Sequence, residues 1–337
     1  MKKIFLALAA VAALAACTKS EAEYEPTGEI AFTPVTKNIT KTMMTGQTFQ
    51  ASEEFNVWAY YKPVPAGTDM GTWLSNASTP QTYLNEKTFA YTGADHKWGG
   101  KESAYFWPKN GSLVFVGYYP TDIAENAHHD LATNTMSFYD INQSRVASRG
   151  FSEDMMYFNM TPSCASGSVV ATFKHALSWI SVILVKDETN ANTDKATITV
   201  EKVEFTNVLP TGDATVVGGK NISWGAKGAA ATVDILEGTP VVLVADNEDQ
   251  EPYEPLFIPQ KMTGNLVITY TITSEDGSYF REVKTIALGG MKDSDNKALT
   301  SWEAAKHYTY TITIGTSEIL VDPKVAPWED VEVNTTI

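Results

Sequence analysis

Apolar residues in this chain recur with period two rather than 3.6, in short runs separated by Gly, Asn, Asp, Ser and Pro, and that rhythm predicts strands throughout. Residues 169–186 (VVATFKHALSWISVILVK) are rich in β-branched and aromatic side chains. These fall on both parities, Phe173, Trp179 and Ile183 against Ile180, Val182 and Leu184, so the stretch reads as one long strand or two strands meeting at a bend. Further strands are predicted over 29–35, stopped by Pro34, and over 54–62, 112–120 and 154–160. Later ones cover 196–207, 229–236, 239–245, 265–274, 279–288, 307–314, 318–322 and 331–337. Asp276-Gly277 marks a hairpin turn, 302–306 reads as one helical turn, and 63–111 reads as loop with scattered tryptophans. No helical period is sustained. The expected fold class is all-β, two β-sandwiches in tandem, with the domain boundary in 161–168 (TPSCASGS).

The start of the chain has a different pattern. Lys2 and Lys3 precede an apolar run over 4–13 that is too short to span a bilayer, which is the layout of a secretory leader over 1–16. Leu14-Ala15-Ala16-Cys17 then resembles the lipobox of bacterial lipoproteins, in which the cysteine is acylated and becomes the first mature residue. Residues 17–28, polar and acidic with Pro26, read as a tether to the first folded element. Cys17 and Cys164 are the only cysteines, so a lipid on Cys17 leaves Cys164 unpaired, and its surroundings fit a structural residue.

Composition narrows the function classes. At 337 residues with 43% apolar and 11% aromatic content, the chain can bury the cores of two domains. The formal net charge of −15 becomes −17 once Lys2 and Lys3 are removed, a surface that repels phosphate backbones and disfavours nucleic acid as a partner.

Candidate chemistry is sparse. The histidines, at 96, 128, 129, 175 and 307, are dispersed, and the adjacent pair His128 and His129 would point to opposite faces of a strand and fits a solvated loop. There is no H-E-x-x-H, no G-x-S-x-G and no glycine-rich phosphate loop. Asp293 and Asp295 imitate the opening of a calcium loop, but Ala298 stands where its turn glycine belongs; residues 246–251 fit a solvated acidic turn. No catalytic residue, metal site or cofactor is expected beyond the lipid, and the chain is not read as an enzyme.

Several motifs in order carry a resemblance. They are FNVWAY over 55–60, VFVGYYP over 114–120, DMMY over 154–157, FKHALSWI over 173–180, IPQ over 258–260, WEAAKHYTYTI over 302–312 and VAPW over 325–328. Together, behind the lipobox, they resemble the fimbrillin family, the lipoprotein pilins of type V pili and related surface fibres. The resemblance implies two tandem transthyretin-like or Greek-key sandwich domains, here over 29–162 and 163–337. It implies export to the outer membrane and the cell surface, and other fimbrial subunits as partners, of the same or another kind, with a host or bacterial surface as the adhesion ligand. It also implies that a protease cuts beyond the first strand and that a neighbour's C-terminal strand fills the groove left behind. On this chain Ile30 and Phe32 would be the removable side chains, and Val331, Val333, Thr335 and Ile337 the alternating face of the donor strand. The family's cut usually follows arginine. None precedes Arg145 here, leaving Lys37 or Lys41 as cut positions. The family often carries glycine where Ala305 stands. An alternative reading is a monomeric surface lipoprotein that binds glycans.

Overall fold

The computed structural model describes residues 28–36, 49, 51–65, 67–93, 97–142, 154–161, 168–187, 195–236, 238–243, 252–293, 296–316 and 319–327. Cys17, Lys37, Lys41, Cys164, Val331, Val333, Thr335 and Ile337 lie outside them.

Two compact units emerge. The first holds β1 (Ala31–Thr36), β2 (Phe55–Lys62), β3 (Gln81–Tyr91), β4 (Trp98–Gly100), β5 (Ser112–Tyr119), β8 (Met156–Thr161) and β9 (Ser168–His175) up to Lys174. The second holds β6 (Ala127–Asp130), β7 (Thr135–Asn142), β10 (Ser178–Lys186), β11 (Thr197–Val208), β12 (Thr211–Val217), β13 (Ser223–Lys227), β14 (Ala231–Leu236) and β15 (Val241–Leu243). It continues with β16 (Leu256–Phe257), β17 (Gln260–Lys261), β18 (Asn265–Thr273), β19 (Tyr279–Ala287), β20 (Ser301–Trp302), β21 (Lys306–Ile314) and β22 (Ile319–Pro327). The all-β expectation holds. The expected single crossing between 162 and 163 does not match this division: β9 lies beyond that point yet pairs with β1, and β7 lies before it yet pairs with β12.

In the first unit the strands run in the order β1-β4-β3-β2-β5-β8-β9, and the pairing of β9 with β1 closes them into a barrel. Its interior is aromatic, with Phe32, Phe55, Phe89, Phe115, Phe158 and Phe173 all fully buried. Gly117 on β5 has a packing reason, because a Cβ there would stand 2.4 Å from both the Phe158 ring and the Asn56 carbonyl. Stretch 63–111, expected as loop, contains β3 and the short helix α1 (Met70–Ser75). β3 escapes a period-two reading because its two buried residues, Leu84 and Phe89, have opposite parity. Between them the register slips at Glu86, which has φ 49°. At the end of β2 the buried Lys62 donates to the carbonyls of Trp73 (2.8 Å) and Asn76 (2.9 Å), satisfying the last turn of α1.

The second unit is a sandwich. β16-β10-β21-β22 contributes Ile180, Val182, Leu184, Tyr310 and Ile312 to one core cluster, and β14-β11-β18-β19 contributes Val200, Phe205, Leu266 and Ile268 to the same cluster. A third sheet, β13-β12-β7-β6, completes the unit with the two-stranded pair β17-β20. Hairpin β18-β19 forms as expected. Ser274 N–H donates to Ser278 O (2.8 Å), and Gly277 supplies the left-handed residue of the loop at φ 82°. Stretch 169–186 resolves into two strands, β9 and β10, that break at Ala176 and Leu177.

The expected helical turn at 302–306 is absent. Ser301–Trp302 instead pairs with Gln260–Lys261, and the chain reverses through Ala305 at φ 56°. A Cβ is disfavoured in that conformation, which glycine adopts without strain. Ala305→Gly is accordingly expected to raise stability by about 0.5–1 kcal/mol, because relief of left-handed strain exceeds the added chain entropy. Urea denaturation checks it: the midpoint should rise with an unchanged slope.

Candidate functional site: the strand that closes the barrel

β1 is unlike the other strands of its unit. It runs parallel to β9 along its whole length, from Ala31 opposite Ser168 to Thr36 opposite Phe173. Toward β4 it has one pair only, Phe32 opposite Trp98. That open flank explains why Pro34 does not stop the strand as expected: a residue without an N–H is tolerated where the ladder is incomplete. Just before β1, Ile30 N–H donates to Tyr105 O (2.6 Å) and Gly28 O accepts from Trp107 N–H (3.3 Å).

Side chains alternate along it. Ile30 and Phe32 are fully buried, with Ala31 and Thr33 half-exposed between and beyond them. The Phe32 ring meets Phe89 at 4.7 Å, Phe115 at 5.2 Å and Phe55 at 5.6 Å, each edge to face, and lies tilted 6.2 Å from Phe158. Four different strands therefore wall one side chain. Past β1 the next described residue is Phe49, whose ring sits 4.6 Å from Phe173 and 5.6 Å from Phe55. Sequence reasoning missed Phe49, a lone aromatic in a polar run with no periodic neighbour. Lys37 directly follows the last residue of β1, and both Lys37 and Lys41 precede Phe49, so each falls between two segments packed in the same core.

The motif residues perform structural chemistry. Asp154 Oδ2 lies 2.6 Å from His175 Nδ1, with both side chains buried. Gln260 brackets Leu209, accepting from its N–H (2.8 Å) and donating to its carbonyl (2.9 Å). Trp302 Nε1 donates to Tyr310 OH (2.9 Å), and Tyr308 OH accepts from Glu303 N–H (2.9 Å). Burial pushes the Tyr308 phenol up to about 12.

One Ser–His contact invites a catalytic reading. Ser181 Oγ lies 2.8 Å from His307 Nε2, and the imidazole stacks on Trp179 at 3.4 Å. The carboxylate of Glu254 bonds to the serine (3.3 Å), whereas a triad needs it on the far nitrogen of the histidine. Ser181 is itself buried, and burial pushes His307 down to about 4. His129, expected in a solvated loop, is buried in β6 and likewise pushed down to about 4. Among the described residues no group of three or more His, Cys, Asp or Glu side chains is placed to hold a metal ion. A cavity of about 330 Å³ lies between Trp224, Pro259, Trp302 and Glu303, but both indole nitrogens and the Gln260 amide beside it are already bonded within the protein. Among the described residues no helix is long and apolar enough to cross a membrane.

The profile of the fimbrillin-like family matches residues 40–328. The chain belongs to the fimbrillin-like family. Solved structures similar to this fimbrillin-like chain include a fimbrial protein from Bacteroides vulgatus, with TM-score 0.61, 17% identity, and 88% of this chain and 99% of that one covered. Another is a candidate cell adhesion protein from Bacteroides uniformis, with TM-score 0.52, 19% identity, and 90% of this chain and 100% of that one covered. At these identities the likeness is one of fold. A search of curated protein sequences finds no match.

Proposed function

We propose that this fimbrillin-like chain is a structural subunit of a cell-surface fimbria that serves adhesion. It is exported as a lipoprotein on Cys17 and polymerised when removal of β1 opens the barrel to a strand from a neighbouring subunit. The observation that carries this reading is the asymmetric seating of β1: one continuous parallel ladder, one nearly open flank, and Ile30 and Phe32 as inward anchors. Once the connection after Thr36 is cut, only noncovalent contacts hold that strand. Its departure would expose an apolar groove with a free edge on β9, the kind of edge that strand addition completes. Residues 331–337 alternate Val331, Val333, Thr335 and Ile337 with polar neighbours, the period that such a groove demands.

The test is limited digestion of the purified protein with a trypsin-like protease. The expected result is a new N-terminus after Lys37 or Lys41, followed by ladders that resist SDS. Deleting residues 329–337 should abolish the ladders and leave the melting curve nearly unchanged. A cut protein that stays monomeric at high concentration, or a truncated one that unfolds, overturns the strand-exchange reading.

A further inference from the structure

β19 is the edge of the sheet β14-β11-β18-β19, and it is the most exposed long strand of its unit. Tyr279 is 76% exposed, Phe280 61% and Val283 55%. A nine-residue edge bearing three large exposed apolar side chains is a template for pairing with another strand. Its free backbone groups can be located. Ser274 N–H bonds Ser278 O and Leu288 N–H bonds Gly264 O, so the even-numbered residues between them exchange bonds with β18. The N–H and C=O groups of Tyr279, Arg281, Val283, Thr285 and Ala287 therefore point outward.

The sequence of β19 says what can pair there. Set antiparallel against itself with Val283 opposite Val283, the strand YFREVKTIA places Phe280 opposite Ile286 and Glu282 opposite Lys284, each pair occurring twice by symmetry. On the other face Arg281 meets Thr285 and Tyr279 meets Ala287. Glu282 and Lys284 lie on the face that β18 turns to the core, since they stand opposite Tyr270 and Ile268. Glu282 accepts from Tyr270 OH (2.6 Å), but neither it nor Lys284 would find an opposite charge on an indiscriminate apolar strand, which would only desolvate them. A second copy in this register is the partner that neutralises both.

We propose that β19 is a homotypic docking edge: two copies of this chain join through antiparallel β19 strands about a twofold axis at Val283, forming one continuous sheet. Such a contact closes on itself, so it links two subunits, or two fibres side by side, and does not extend a fibre. It is independent of β1 removal and holds for the uncut chain.

Crosslinking of the full-length chain tests it. Val283→Cys is introduced in a background carrying Cys17→Ser and Cys164→Ser, and the rate of dimer formation with a short bismaleimide is compared with that of Val242→Cys, an exposed position on β15 in the same sheet. The Val283→Cys chain should crosslink several-fold faster. Adding Glu282→Lys or Lys284→Glu alone sets like charges opposite each other twice and should slow it about fivefold, whereas the two together restore the rate. Near-ultraviolet circular dichroism of each variant separates loss of contact from loss of fold. A Val283→Cys rate no higher than the Val242→Cys control, or folded single-charge variants that crosslink as fast as their parent, overturns the proposal.

Discussion

Phe32→Ala is expected to lower the stability of the barrel unit by about 3–5 kcal/mol, in the range for an aromatic side chain deleted from a closed core. Phe32 is fully buried, and its ring touches aromatic rings from β2, β3, β5 and β8. Because those walls belong to four strands fixed by their own ladders, no single shift fills the void. The lost edge-to-face contacts add to the lost burial. Phe32→Leu keeps most of the volume and should cost about 1–1.5 kcal/mol. The measurement is the unfolding transition of the first unit in urea, compared at matched slope. A loss below about 1 kcal/mol for the alanine variant would mean that the rings close over the vacancy, or that β1 is not seated there. In the proposed assembly the same substitution should also speed release of β1 after the cut, since it removes the largest anchor holding the strand.

The second large effect falls on the pair Asp154 and His175. Their side chains are 2% and 8% exposed and 2.6 Å apart. Asp154→Ala removes one partner and leaves a buried imidazole with a polar nitrogen uncompensated, at an expected cost of about 3–5 kcal/mol. His175→Ala strands the carboxylate, whose Oδ1 already lacks a hydrogen-bond partner, and should cost as much. Replacing both residues removes the mismatch as well as the bond. A double-mutant cycle is therefore expected to return a coupling of about 2 kcal/mol or more, against near-additivity if the two side chains act independently. Asp154→Asn preserves shape and one acceptor and should fall between the parent and Asp154→Ala.

That pair also shows how far the sequence can be read. Asp154 opens the DMMY motif and His175 sits in FKHALSWI, and each was legible as part of an ordered series; nothing in their spacing of 21 residues says that they touch. The hairpin β18-β19 was legible in full because alternation, β-branched content and a Gly-containing turn all act within a few residues. β3 was not, because a slip at Glu86 changes which parity faces the core. β7 and β12 were also missed. Short and partly exposed, they become strands by pairing with each other, from Thr211 opposite Asn142 to Val217 opposite Thr135, a contact far apart along the chain.

By itself the sequence determined the all-β class, most strand positions, the resemblance to fimbrillins and the candidate groups at the two ends of the chain, because period, turn chemistry and motif order are local properties. Only the tertiary structure decided that β9 closes a barrel on β1 rather than beginning the second unit. It also decided that Phe32 fills an aromatic cage, that Phe49 returns to the same core, and that β19 keeps a bare edge. Each of these depends on which distant strands hydrogen-bond to one another. Pairing between distant strands is set by the burial of whole faces at once, and no local window contains it.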